Sequence, residues 1–162
     1  MKRSRILSVL SLSAILLFVG ACSDDDNPAN TPTLGTVSGR ITFVGNWPAI
    51  GNIQVSLLDA WPPPPRAPYQ ASPVITANSV TYDYTFDGIE RGTYPAIVVG
   101  WRDPANPAGA KVLGIYVNDA TKTGINTTNV PPTYDTPVSI AISDAKMIWP
   151  GLDIRADLSL AQ

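Results

Sequence analysis

The stretch VTYDYTFDGIERGTYPAIVVGW, residues 80–101, has the pattern of two β-strands that differ in burial. In its first half, residues 80–87, apolar and polar side chains alternate without interruption. Successive side chains of a strand point to opposite faces of a sheet, so this pattern predicts a half-buried strand. The second half, residues 94–101, is apolar at both alternate positions, which is typical of a strand covered on both faces. The connection between them is too long for a two-residue hairpin, so we expect the chain to cross here from one sheet to another.

Five further stretches have the pattern of strands and bring the number of predicted strands to seven. They are residues 37–43, 53–57, 111–117, 138–142 and 152–158. A short additional strand is expected near Val74 and Ile75, and no stretch has a convincing amphipathic helical pattern. Turn residues separate the strands, which favours an all-β, antiparallel Greek-key sandwich of two sheets, like immunoglobulin-type domains. Residues 102–110 and 118–136 are predicted to be loops.

A proline-rich segment, residues 60–69, follows the second predicted strand and contains four consecutive prolines. Proline fixes its φ angle and lacks the backbone N–H, so this segment is predicted to be an extended loop outside the sheets. A stiff surface loop is the simpler interpretation, and a ligand for proline-binding domains is the alternative.

The N-terminus has the features of a secretion signal. Three positive residues stand among the first five positions, an apolar run covers residues 6–20, and small residues precede Cys22. The ending Val19-Gly20-Ala21-Cys22 resembles the bacterial lipobox. This resemblance implies a signal peptide over residues 1–21 and a diacylated Cys22 that anchors the mature protein in a membrane. The apolar run is shorter than the roughly 20 residues that a spanning helix needs.

A polar segment, residues 22–34, then leads to the first strand. It contains three consecutive aspartates, two prolines and almost no apolar side chain, so it is predicted to be a flexible tether. The aspartates are interpreted either as a solvated spacer or, by resemblance, as the surface-export signal of some gram-negative lipoproteins. We therefore expect a lipid-anchored protein of the cell envelope, located at the outer membrane. It faces either the periplasm or the cell surface.

Three short motifs resemble the carboxypeptidase-regulatory-like or prealbumin-like domains, which are related to the B-type repeats of collagen adhesins. The motifs are Gly39-x-Ile41-x-Phe43, Phe86-x-x-Ile89-x-x-Gly92-x-Tyr94 and Leu152-Asp153-Ile154. The resemblance covers residues 35–160 and implies a seven-stranded sandwich with an accessory, adhesive or structural role. In the central motif the three large side chains are expected in the core, and Gly92 is expected to permit the turn.

The sequence is poor in the histidine and cysteine residues that many catalytic sites use. The chain has no histidine and one cysteine, which excludes serine–histidine triads, cysteine–histidine pairs and histidine-based zinc sites. No metal or cofactor is predicted, although loop aspartates leave a calcium site as an alternative; they are Asp103, Asp119, Asp135 and Asp144. With 11 basic and 13 acidic residues and no basic patch, the chain is not expected to bind nucleic acid.

Three tryptophans beside prolines, Trp47, Trp61 and Trp149, are the candidate ligand-binding residues. Exposed aromatic rings stack on sugars and anchor protein interfaces, whereas Trp101 lies in an apolar strand and is expected in the core. The leading hypothesis is a non-catalytic structural or protein-binding module whose partner is an envelope protein. The alternatives are a carbohydrate-binding module and, from another class, a hydrolase that uses aspartate pairs. Those pairs are Asp83 with Asp87 and Asp153 with Asp157.

Overall fold

The computed structural model describes residues 34–63 and 66–161, and the regular secondary structure of these residues is almost entirely β-strand. In this part of the chain, twelve strands are followed by a 3-10 helix, Leu158–Ala161. The strands are β1 (Gly35–Val44), β2 (Asn52–Leu58), β3 (Gln70–Ala71), β4 (Thr81–Ile89), β5 (Gly92–Tyr94), β6 (Ala96–Asp103), β7 (Asn106–Ile115), β8 (Ile125–Asn126), β9 (Thr133–Tyr134), β10 (Ile140–Ile142), β11 (Ile148–Trp149) and β12 (Ile154–Asp157).

Two four-stranded sheets form the sandwich. In the first sheet, β1 is central, with β4 on one side and β11 and β12 in succession on the other. The second sheet has the order β3-β2-β6-β7. Buried side chains from both sheets form one continuous core, so the predicted all-β sandwich is confirmed. Two smaller two-stranded sheets, β5 with β10 and β8 with β9, complete the described fold.

The stretch of residues 80–101 crosses between the sheets, as its pattern predicts. β4 belongs to the first sheet and β6 to the second. The strand predicted over residues 94–101 is divided at Pro95, which has no N–H to donate to a ladder. The residues before Pro95 pair with β10, and those after it pair with β2 and β7.

The large side chains of the central motif lie in the core, but the role expected for its glycine is not observed. Phe86, Ile89 and Tyr94 are buried, as the resemblance implies. The glycine with the left-handed conformation is Gly88, whose φ is 72°, and Gly92 has no positive φ. The expected role of Gly92 is therefore wrong, and Gly88 provides the unusual backbone conformation while β4 continues to Ile89.

The expectation of a purely antiparallel sandwich is wrong at β1. Strand β4 pairs with β1 in the antiparallel sense, whereas β11 and β12 pair with it in parallel. Most of the chain separates β1 from β12, so no hairpin turn fixes their relative direction. Gly39 permits the backbone at Leu152, just before β12, to approach β1 closely. A Cβ atom at position 39 would lie only 2.2 Å from the carbonyl oxygen of Leu152.

Two predicted loops contain β-structure. Residues 102–110 include the end of β6, a tight turn at Pro104-Ala105 and the start of β7, and Asp103 pairs with Asn106 across the turn. Residues 118–136 contain the β8–β9 hairpin. The short strand expected near Ile75 is displaced to β3, although the N–H of Ile75 still donates to the Ile53 carbonyl at 2.9 Å.

The outer face of the second sheet is covered as well. A second apolar cluster consists of five buried residues, Leu58, Ala96, Val98, Ile115 and Val117. Trp61 and Ile125 of β8 pack against this cluster. Because β6 and the end of β7 are buried on both faces, the double-sided apolar pattern of residues 94–101 and 111–117 has a direct structural explanation.

Candidate functional site

The three candidate tryptophans lie in different places. Trp47 follows the end of β1, where its ring centroid is 5.0 Å from that of Phe43 and its Nε1 donates to the Ser79 carbonyl. Trp149 lies opposite Val37, near the start of β1, and its Nε1 donates to the Ala141 carbonyl. Both rings are half-buried and pack against the main core. The structure therefore does not bring these two side chains together.

Trp61 lies on the outer face of the second sheet, away from the main core. Its ring packs against the second apolar cluster and meets the ring of Tyr134 edge-on, with centroids 5.5 Å apart and planes at 75°. Tyr134 belongs to β9 and is 44% exposed. The structure thus pairs one predicted aromatic residue with a second, Tyr134, that the sequence pattern does not predict.

A cavity of about 450 Å³ opens beside Tyr134. It lies between β7, the β8–β9 hairpin and the C-terminal 3-10 helix, and we refer to it as the hairpin groove. Its apolar lining includes Val112, Ile125 and Leu160, and its polar lining includes Lys111, Thr127 and Ser159. The groove therefore combines one exposed aromatic ring, aliphatic walls and hydroxyl groups.

The predicted aspartate pairs are not assembled into a catalytic dyad. Arg40 lies opposite Asp83 in the first sheet, and its Nε donates to a carboxylate oxygen of Asp83 at 2.6 Å. This hydrogen bond lowers the pKa of Asp83, whereas a general acid at neutral pH needs a raised pKa. Asp153 accepts a hydrogen bond from the N–H of Arg40, so the arginine lies between the two carboxylates.

The other two aspartates of the predicted pairs have local partners. Asp87 accepts a hydrogen bond from the hydroxyl of Thr36 at 3.0 Å. Asp157 accepts from the N–H and the hydroxyl of Ser159 at the start of the 3-10 helix. The arrangement thus gives the hydrolase hypothesis no support.

The aspartates named for a calcium site lie in separate loops. Asp103 and Asp119 accept hydrogen bonds from backbone N–H groups two residues further on, and Asp144 pairs with Arg91. Among residues 34–63 and 66–161, no group of three or more histidine, cysteine, aspartate or glutamate side chains has the geometry to hold a metal ion.

The outer edge of β4 is a second candidate surface. The N–H of Phe43 donates to the Val80 carbonyl, which makes these two residues a hydrogen-bonded pair. Hydrogen-bonded and non-hydrogen-bonded pairs alternate along an antiparallel ladder. It follows that the N–H and C=O groups of Thr81, Asp83 and Thr85 point away from β1, toward an edge where the described residues place no strand.

The edges of the second sheet are short or partly covered. β3 has two residues and is followed closely by Pro73. The far side of β7 is approached by β12 near its end, since a Cβ on Gly114 would lie 2.3 Å from the Arg155 carbonyl oxygen. At the same end, the N–H of Ile115 donates to the Thr123 carbonyl. In the first sheet, β4 has nine residues, and the described part of the chain places no strand beside its outer edge.

The predicted lipidation residue Cys22, the signal peptide and residues 22–33 of the predicted tether lie outside the described residues. Within the residues that are described, no helix has the length and apolar character needed to cross a membrane.

Comparisons with models of protein families, with curated proteins and with solved structures find no match to this chain. The prealbumin-like resemblance therefore stays a prediction.

Sequence reasoning missed Tyr134 and the hairpin groove because their segment has no clear periodicity. Residues 118–136 are rich in threonine and asparagine, and this composition predicts a loop without indicating where the loop folds back. One usable signal is present: isolated Ile125 and Tyr134 flank a polar turn, which is consistent with a short hairpin. Their contact with the outer face of the second sheet depends on tertiary packing.

Proposed function

We propose that this chain is a lipid-anchored, non-catalytic module of the cell envelope that binds a protein partner by adding an extended segment of that partner to β4. The observation that supports this most directly is the open, nine-residue edge of β4. An exposed strand edge is a template for strand addition, in which main-chain hydrogen bonds provide affinity.

The edge is suited to a polar extended segment. The alternate residues Thr81, Asp83 and Thr85 direct both backbone groups outward and have exposed side chains on the solvent face. No proline interrupts the strand. Arg40 compensates the charge of Asp83, so an incoming strand does not meet an unpaired carboxylate at this position.

The N-terminal sequence supports a location at a membrane. The lipobox-like ending at Cys22 and the tether that follows it would attach the sandwich to a membrane while leaving β4 free to meet a neighbouring protein. The three aspartates after Cys22 favour the outer membrane by their resemblance to surface-export signals. The sandwich itself would then be an accessory or adhesive domain of the prealbumin-like kind.

In-cell photo-crosslinking tests strand addition at β4. A photoreactive residue in place of Thr81 is expected to crosslink the lipid-anchored protein to a defined partner polypeptide. The same residue in place of Val130, which is 97% exposed in the β8–β9 turn region, is the control for random encounters.

A second substitution separates strand pairing from simple proximity. Thr85→Pro removes an N–H that points away from β1, so the ladder of the first sheet is retained while an added strand loses its partner. Thr85→Val retains the N–H and is the matched control. Crosslinking at position 81 should disappear in Thr85→Pro and persist in Thr85→Val. Equal crosslinking in both variants, or no more than at Val130, would refute the proposal.

A further inference from the structure

The hairpin groove lies against the second sheet, whereas β4 belongs to the first. From its geometry we infer that this groove binds a neutral saccharide, with Tyr134 as the stacking platform. The inference does not depend on the function proposed for β4, because the two surfaces share no residue.

The ring of Tyr134 is exposed and held in place. It is 44% accessible, lines the groove and is supported by the edge-on contact with Trp61. Trp61 is itself packed on the second apolar cluster. A ring fixed before binding loses little conformational entropy when a ligand stacks on it.

The polar groups of the groove match sugar hydroxyls. Within the described residues, neither the hydroxyl of Tyr134 nor that of Thr127 has a hydrogen-bond partner in the protein. The hydroxyl of Ser159 donates to Asp157 at 2.7 Å and retains lone pairs that can accept. Hydroxyl groups both donate and accept, as sugar hydroxyls do, so they pair in either direction.

The walls and the charge of the groove favour a neutral ligand. Val112 and Ile125 provide aliphatic surface for the C–H face of a sugar ring. Lys111 is the charged residue of the lining and already has an interaction within the protein, and no arginine accompanies it to form the planar fork that binds phosphate or carboxylate in a bidentate manner. A volume of about 450 Å³ lies in the lower part of the usual range of small-molecule sites, and accommodates about one or two sugar rings.

An array of neutral hexose and N-acetylhexosamine oligosaccharides, probed with the purified full chain, tests this inference. The oligosaccharide with the strongest signal is then titrated against the wild type and the variants by isothermal calorimetry. Tyr134→Ala should weaken binding at least tenfold, because the stacking platform is lost. Tyr134→Phe retains the ring and should weaken binding by about two- to fivefold, which corresponds to one hydrogen bond.

Two controls define the site. Trp149→Ala removes a half-buried aromatic side chain on the other sheet and should leave the affinity unchanged. Thr85→Pro should also leave it unchanged, which separates a failure of this inference from a failure of the function proposed for β4. Unchanged urea-unfolding midpoints in both Tyr134 variants would show that their fold is intact.

Three results would overturn the inference. They are the absence of binding to every neutral oligosaccharide on the array, equal affinity of the wild type and Tyr134→Ala, and loss of binding in Trp149→Ala. Tyr134-dependent binding of an unmodified peptide without any oligosaccharide binding would assign the groove to a different ligand and would equally refute it.

Discussion

Replacing Gly39 by alanine tests the contact that seats the segment after β11 against β1. A Cβ at this position would lie 2.2 Å from the carbonyl oxygen of Leu152, 2.5 Å from its carbonyl carbon and 2.9 Å from its nitrogen. All three are backbone atoms, so no side-chain rotation relieves the overlap. The segment would have to move away by about 1 Å to restore an ordinary van der Waals contact.

That displacement would strain two hydrogen bonds of Leu152. Its N–H donates to the Ser38 carbonyl at 3.0 Å, and its carbonyl accepts from the buried hydroxyl of Tyr84 at 2.6 Å. Overpacking typically costs about 1–3 kcal/mol, and a weakened buried hydrogen bond adds about 1 kcal/mol. We therefore expect Gly39→Ala to lower the free energy of unfolding by about 2–4 kcal/mol.

Gly100→Ala is the matched control, because it is the same chemical change within a strand of the other sheet. A Cβ on Gly100 would have the Lys111 carbonyl oxygen as its nearest neighbour, at 3.7 Å, which is an ordinary contact. Its φ is not positive, so alanine should be neutral or should stabilise the protein by up to about 1 kcal/mol through the unfolded state.

Equilibrium unfolding in urea, followed by tryptophan fluorescence and far-UV circular dichroism, measures both variants. A free energy of unfolding for Gly39→Ala within about 0.5 kcal/mol of the wild type, the range of ordinary surface substitutions, would show that the contact with Leu152 does not restrict this position. Equal destabilisation by the two substitutions would show that both strands simply tolerate alanine poorly, and that the contact with Leu152 is not the cause.

Three further outcomes are expected. Phe86→Ala should cost about 3–5 kcal/mol because Phe86 is 1% exposed, whereas Val80→Ala, at a residue that is 73% exposed, should stay within about 0.5 kcal/mol in the same unfolding assay. Burial raises the pKa of Tyr84, so the folded state keeps a proton that the unfolded chain releases, and stability should fall as the pH rises above about 10. Tyr84→Phe removes this titration, and the stability gap between wild type and variant should therefore narrow between about pH 8 and pH 11. Cys22→Ala should abolish metabolic labelling with fatty acid, and equal labelling of variant and wild type would contradict the lipobox interpretation.

The local pattern was enough to place the principal strands and the core. Alternation over residues 80–87 predicts which side of β4 is buried, and Tyr84 and Phe86 are buried as expected. The apolar character of residues 94–101 on both faces predicts burial on both sides, and β6 has the main core on one face and the second apolar cluster on the other. These properties depend on nearest neighbours along the chain, because a strand has a side-chain period of two.

The candidate surfaces followed from the sequence only in part. The position of Trp61 beside prolines in a loop marks it as a candidate, but its partner Tyr134 is 73 positions away and lies in a segment without periodicity. The open edge of β4 could not be predicted from the sequence either. Whether a strand lies at an edge depends on which other strands reach it, and no local pattern contains this information.

Residue type and short-range periodicity are enough to predict the all-β class, the crossing of residues 80–101 between two sheets and the burial of the central motif. The parallel pairing of β12 with β1, the left-handed conformation at Gly88 and the contact between Trp61 and Tyr134 become visible only in the folded structure. These two groups of properties differ in the range of the interactions that produce them. Pleating and turn formation involve neighbours along the chain, whereas strand order and groove formation depend on backbone contacts such as that of Gly39 with Leu152, which join residues more than a hundred positions apart.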